Sequence, residues 1–336
     1  MGYRSDDLGR LVQDEQTGEV VRLEDRIAAD TVGYTGMAFD DLIRRTLAAW
    51  TRAFGGPDQP ALPGDVLRRI IAAARADVRR LLGDVAGRSR YLRDALAEAV
   101  ALGVRQGMAF VEAASALRHA GPAIPRVTRL LRDEAARIRD MVRERRDRAL
   151  FLLHPDRVSR WSHMLTGLGA ARAALPAVRA HIAWVVNTAV GDGLDAVADV
   201  TAPLRLWISE ADACVNCLAY TGLTVPTGAA FQGGLSWDPR QRRQLPDVDG
   251  PPLHPNCRCR TVPWNDDWTT EGIPFPLALQ REAHRSIAYG RSLPSESRAS
   301  RLRAARHLLL TERDLLPAVQ ARAQTAVRTG RFQAAA

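Results

Sequence analysis

Cys214-Val215-Asn216-Cys217 and His254-Pro255-Asn256-Cys257-Arg258-Cys259 hold all four cysteines of a 336-residue chain, with a histidine inside the second run. C-x2-C and H-x2-C each present two donors from one tight turn, as zinc requires when it takes four thiolate or imidazole ligands in a tetrahedron. Five donors compete for four places. Cys214, Cys217, His254 and Cys257 have matched two-residue spacers, while Cys259 in place of His254 gives an all-thiolate set whose charge Arg258 and Arg260 would offset. The fourth ligand stays open between His254 and Cys259.

Between the two halves lie residues 218–253, with five glycines and five prolines. A loop of this length is unusual in a compact domain unless its ends are fixed. By analogy with a covalent cross-link, joining those ends lowers unfolded-state entropy by on the order of 4 kcal/mol. The expected metal is therefore a structural Zn2+ with no open coordination position. Neither H-E-x-x-H nor the H-x-E followed by P-C-x2-C signature of zinc deaminases occurs. Glu210 and Asp212 stand beside the first pair and would be the bases of a zinc-dependent hydrolase; the expected role for them is to cap the strand end or pair with Arg258 and Arg260.

The amino terminus lacks the basic start and apolar run of a secretory signal, which favours a reducing compartment and metal over disulfides. No apolar run approaches the length of a membrane-spanning helix, so no membrane segment is expected. The formal charge is +9, carried without a single lysine. Residues 281–336 hold eleven arginines against Glu282, Glu296, Glu312 and Asp314, a net of +7, so the basic character is a property of that region. There Arg298, Arg301, Arg303 and Arg306 form the best nucleic-acid candidate, on a helix whose Leu302, Ala305, Leu308 and Leu309 make an apolar face. No Walker A lysine is possible, and no G-x-G-x-x-G follows a strand.

Hydropathy periodicity predicts a mainly α chain with a small β and zinc-knuckle module. Residues 1–33 are polar; Leu11-Val12 and Val20-Val21 flank Thr17-Gly18, which suggests a small hairpin or an arm that orders on a partner. A helical body follows over 34–175. Its first helix is capped at Thr35 and stopped by Gly55-Gly56-Pro57, and its second is capped near Asp65. Further helices are expected over 91–102, 104–117, 127–151 (with Leu130 on its apolar face) and 157–173. Another, over 177–200, is interrupted by Gly191 and Gly193. After Pro203 the period changes: 204–208, 223–225 and 260–262 read as three short strands of an antiparallel sheet within 204–263. Helices resume over 276–289, 295–310 and 315–327, giving a basic helical tail from 265 to 336. His154-Pro155-Asp156 looks like the turn of a J-domain, but the helix expected upstream of it is missing.

One resemblance joins these pieces. Leu206-Trp207, Asp212 to Cys217, Thr221-Gly222-Leu223-Thr224-Val225 and Pro251 to Cys259 together resemble the phage Mu F-like family of minor head, or head morphogenesis, proteins. The closing H-P-N-C-R-C is the most specific part, and the resemblance covers residues 176–264. Asn187-Thr188-Ala189 stands where the family has an R-T-E triplet. The resemblance implies a non-enzymatic virion protein of a tailed phage or prophage, made in the bacterial host cytoplasm and placed inside the head near the portal vertex. It would act with the portal protein and capsid in head assembly, and with packaged DNA or its ejection through the basic tail. The alternative is a zinc-stabilised nucleic-acid-binding protein.

Overall fold

The computed structural model of the chain describes residues 4–127, 129–268, 270–292 and 296–333. A short helix α1 (Ser5–Arg10) runs through a π-helical stretch (Leu11–Gln16) into α2 (Thr17–Val32). There follow α3 (Thr35–Phe54), α4 (Asp65–Arg88), α5 (Arg90–Ser115), α6 (Arg129–Leu152), α7 (Trp161–Arg172) and α8 (Ala174–Thr201). Then come β1 (Leu204–Ile208), a one-turn α9 (Val215–Leu218), β2 (Thr224–Pro226) and β3 (Arg260–Trp264). Helices α10 (Phe275–Tyr289), α11 (Arg298–Thr311) and α12 (Pro317–Thr329) close the chain. The expected class, mainly helical with a small antiparallel sheet, is the one adopted. Among the described residues no helix is long and apolar enough to cross a membrane.

The chain forms two compact units. One is Arg22–Ala97 with Val127–Val185; the other is Met1–Val21 with Glu98–Arg126 and Val186–Ala336. The division by composition puts its boundaries elsewhere, because local pattern reports where elements change and not which distant segments pack together.

In the first unit α3, α4, α6 and α7 pack on one another through single apolar stripes. Trp50 is fully buried, edge-on to Phe54 at 4.9 Å and beside Trp161 at 6.1 Å. Arg75 Nη1 donates to Leu150 O (2.5 Å) and Leu153 O (3.1 Å), satisfying carbonyls at the end of α6 that have no helical partner. Thr35 and Asp65 are not caps: Tyr34 and Gly64 hold those positions, and neither makes a side-chain cap bond. The side chain of Leu130, and Ser295 as a helix start, lie outside the described residues.

The second unit is built around β1, which pairs antiparallel with β2 on one side and β3 on the other, Leu206 standing opposite both Thr224 and Val262. Successive strand side chains point to opposite faces. Leu206 and Ile208 join Val262, Trp264, Phe275, Leu279, Leu8, Val12 and Phe110 in one core. Trp207 joins Cys217, Tyr220, Phe231, Ile287 and Leu308 in another. Both faces of the strand are covered, and Arg205, on the same face as Trp207, is buried with its Nη1 donating to Asp195 at 3.1 Å.

Three expectations are corrected here. Residues 5–32 are helical, not a hairpin: Leu8, Val12, Val20, Leu23 and Ile27 recur at helical spacing and all are buried. Residues 90–115 form one helix through Gly103, and α8 is not interrupted by Gly191 or Gly193. A Cβ at Gly103 would lie 2.1 Å from Val190 O, and one at Gly193 2.2 Å from Val100 O. Those glycines permit close backbone approach of α5 and α8, and do not break either helix.

Candidate metal centre

The first pair of cysteines sits at the start of α9. Cys214 is its N-cap, extended in backbone, and its Sγ accepts from Cys217 N at 3.5 Å. Cys217 is fully buried, and its carbonyl accepts from Ser209 Oγ at 2.8 Å, which ties the turn to the end of β1. The second pair comes from a turn closed by Cys257 N donating to His254 O at 3.1 Å. Pro255 takes the second position and Asn256 the third, in the left-handed region at φ 61°. Proline fixes its own backbone angle and asparagine tolerates the left-handed region better than most residues, which explains the pair between the two ligand positions.

The structure brings all five sequence-derived donors together. They form two triads that share Cys217: Cys214, Cys217 and His254, and Cys217, Cys257 and Cys259, the donor atoms of each lying within 4.8 Å of one another. His254 Nε2 is 3.2 Å from Cys214 Sγ and 3.5 Å from Cys217 Sγ, and Cys217 Sγ is 3.6 Å from Cys257 Sγ. All four cysteines are free thiols. His254 Nδ1 contacts Pro255 O at 2.9 Å; a proton held there leaves the Nε2 lone pair facing the sulfurs, free to ligate a metal ion. The cluster is able to bind a metal ion.

Its protonation follows from crowding. The hydrogen bond from Cys217 pulls the Cys214 thiol down to about 4, with His254 helping and burial opposing. Contact with Cys214 in turn raises His254 to about 9 against burial. Cys257 is lowered by a hydrogen bond from Cys217, and Cys217 is raised by donating to Cys214 and Cys257. The cluster therefore concentrates soft sulfur and imidazole donors in a small buried volume, a set suited to a cation.

A cavity of about 180 Å³ adjoins the donors, bordered also by Thr17, Val21, Glu210, Asp212 and Arg258. Burial pushes Glu210 up to about 7 while Arg260 and Thr17 oppose the shift. Thr17 Oγ1 donates to Glu210 at 2.7 Å, and Arg260 lies 3.7 Å from the same carboxylate. The guanidinium of Arg260 also donates to Gln106 Oε1 (3.1 Å) and Thr17 Oγ1 (2.6 Å). Glu210 is therefore engaged on two sides, and its pairing with Arg260 is one of the alternatives expected from sequence.

The candidate nucleic-acid arginines separate. Arg301 is 1% exposed and belongs to the centre, not to a surface. Its Nη2 donates to Ala213 O at 2.7 Å and to Glu296, whose other oxygen accepts from Val215 N at 2.9 Å. The pair clamps the backbone on both sides of Cys214. Arg303 grips the fully buried Asp238 with Nε at 2.9 Å and Nη2 at 2.6 Å, and Ser300 Oγ donates to the same carboxylate at 2.8 Å. These bonds fasten the long 218–253 loop to α11. Arg298 and Arg306 are exposed. The helix therefore does not present four arginines on one outward face, because two of them are consumed by buried carboxylates.

Sequence reasoning missed Thr17, Gln106 and Glu296. Each approaches the cluster or its frame from more than 35 residues away in sequence, and no local spacing marks it. Compared with protein-family models, with curated proteins and with solved structures, the chain matches none.

Proposed function

We propose that the chain is a non-enzymatic structural protein of a tailed-phage head, of the Mu F-like minor head class, and that a zinc ion staples its knuckle. The observation that carries the reading is the run His254 to Cys259 answered by Cys214 and Cys217. In the proposal the protein sits inside the head near the portal vertex, contacts portal protein and capsid, and meets packaged DNA through exposed arginines such as Arg298 and Arg306.

The donor geometry supports zinc. With Zn–S near 2.3 Å and Zn–N near 2.0–2.1 Å, a tetrahedron has S–N edges of about 3.6 Å and S–S edges of about 3.8 Å. The separations of 3.2 and 3.5 Å from His254 to Cys214 and Cys217, and of 3.6 Å from Cys217 to Cys257, approach those edges within two triads that share Cys217. Cys214, Cys217, His254 and Cys257 would hold the ion, with Cys259 as the alternative fourth ligand. The ion would supply a cross-link between the two ends of the 218–253 loop.

Two measurements test the proposal separately. Elemental analysis of purified protein is expected to give one zinc per chain, and a metal-free but fully folded preparation would overturn the staple. Co-purification with portal protein in procapsids and virions tests the head assignment, which a purely free cytosolic protein would overturn. A zinc hydrolase is the competing reading, motivated by Glu210 at the cavity beside the donors. Glu210→Gln is expected to leave function intact, since this carboxylate serves as an acceptor for Thr17 and Arg260.

A further inference from the structure

A second site lies on the outer side of the Arg301 clamp. A cavity of about 500 Å³ is lined by Ser292, Glu296, Arg298, Arg301, Arg331 and Phe332. One water occupies about 30 Å³ of liquid, so this space admits a ligand and not merely a bound solvent molecule. Three of the lining side chains are guanidinium groups and one is a carboxylate. That carboxylate is already committed, with Glu296 taking Arg301 on one oxygen and Val215 N on the other.

Arg301 supplies the independent observation. It is 1% exposed, and although Nη2 is bonded twice, its Nε and Nη1 are buried and find no acceptor. Leaving a buried donor unpaired costs roughly 1–3 kcal/mol, more when the group is charged. Such donors in a native fold mark a place where a water or an ion belongs. The other two arginines add charge without a competing partner among the described residues: Arg298 makes no ion pair, and Arg331 bonds only through its backbone, its N donating to Thr329 Oγ1 and its O accepting from the same hydroxyl. The wall is built in. Gly290 ends α10 in the left-handed region at φ 70°, and a Cβ there would meet Phe332 at 2.2 Å, so the ring lies against the glycine and carries Arg331 with it.

We propose that this cavity is an oxyanion site for a phosphate group, with Arg301 as its buried anchor and Arg298 and Arg331 as its exposed arms. Guanidinium groups offer several N–H donors in a fixed fork that matches phosphate oxygens. The proposal is independent of the virion reading, since it needs only the folded chain. The phosphate belongs either to a free anion or to a nucleic-acid backbone, and the experiment separates the two.

Purified full-length protein is titrated calorimetrically with inorganic phosphate against sodium chloride of matched ionic strength. Saturable phosphate binding is expected, weakened at least tenfold in Arg298→Ala/Arg331→Ala. Both positions are exposed and the variant keeps the Arg301 clamp, so its thermal midpoint without phosphate should equal that of the wild type. A single-stranded oligonucleotide that displaces the phosphate assigns the site to a nucleic-acid backbone; one that leaves it bound assigns it to a free anion. Absence of saturable binding at matched ionic strength, or equal binding by the double variant, would overturn the proposal.

Discussion

At the scale of single residues the centre depends on charges placed where water cannot reach. Arg301→Met would strand Glu296, whose side chain is 7% exposed, as an unpaired buried carboxylate. Breaking one partner of a buried pair costs about 3–5 kcal/mol, and Glu296→Gln in the same background should recover part of it. Urea denaturation of the single and double variants reads this directly. Two further groups make stability depend on pH. Burial lowers His284, edge-on to Trp237 at 5.3 Å, to about 4. Its contribution is full above the ordinary value of 6.5 and is lost as pH falls through about 4, so His284→Leu should flatten the acid limb of a stability-versus-pH curve. Asp192 behaves oppositely. Burial, and then the charge of Asp195, raise it to about 6, so its contribution is present below 3.8 and lost as pH rises through 6. Asp192→Asn should therefore be more stable at pH 7.5, by roughly 1–2 kcal/mol after discounting for its partial exposure. The donor cysteines and His254 were legible in the sequence because ligands repeat at short fixed spacings. Glu296 and Thr17 were not, because a buried partner supplied from across the chain leaves no mark beside the residue it serves.

Among the elements, glycine shows best how far sequence carries. Gly103 and Gly193 read as helix breaks, yet both lie inside continuous helices whose backbones meet there. Gly193→Ala would force its methyl to within 2.2 Å of Val100 O, an overpacking cost of roughly 1–3 kcal/mol or more. Gly83 in α4 faces open space, and alanine there should stabilise by roughly 0.5–1 kcal/mol. Thermal melts of the two variants should thus move in opposite directions, although both replace a glycine in a helix interior. The strands were legible because a switch from helical to alternating or continuous apolar pattern needs only five residues to show, as Leu204 to Ile208 do. Residues 5–32 misled because two Val-containing pairs around Thr17-Gly18 imitate a hairpin. The longer run of Leu8, Val12, Val20, Leu23 and Ile27 carried the correct period.

For the molecule as a whole, the unit containing the cluster is assembled from three separated segments, and its frame is made by contacts of long sequence range. Ser5 Oγ donates to Ile273 O at 2.6 Å, Gln13 Nε2 to Ser209 O at 2.8 Å, and Arg260 to Gln106 at 3.1 Å. With zinc in place, a chelator should release the loop ends and lower stability by about 4 kcal/mol. Hydrogen exchange would then rise across residues 204–264 and in α11, which holds that loop through Asp238. No pattern in the sequence announces such a frame, since periodicity describes an element and says nothing of its neighbours.

The five donors fall within residues 214–259, whereas the contacts that enclose them span up to 243 residues. Closing long loops is slow relative to closing short ones. A newly made chain would therefore possess a complete set of ligands well before it possesses the walls around them. Metal can be captured while the donors are still open to solution, and the later arrival of Thr17, Gln106 and Arg301 would lock it in. In a refolding experiment, metal supplied at the start should be retained against a chelator, while metal offered to the finished apoprotein should enter far more slowly.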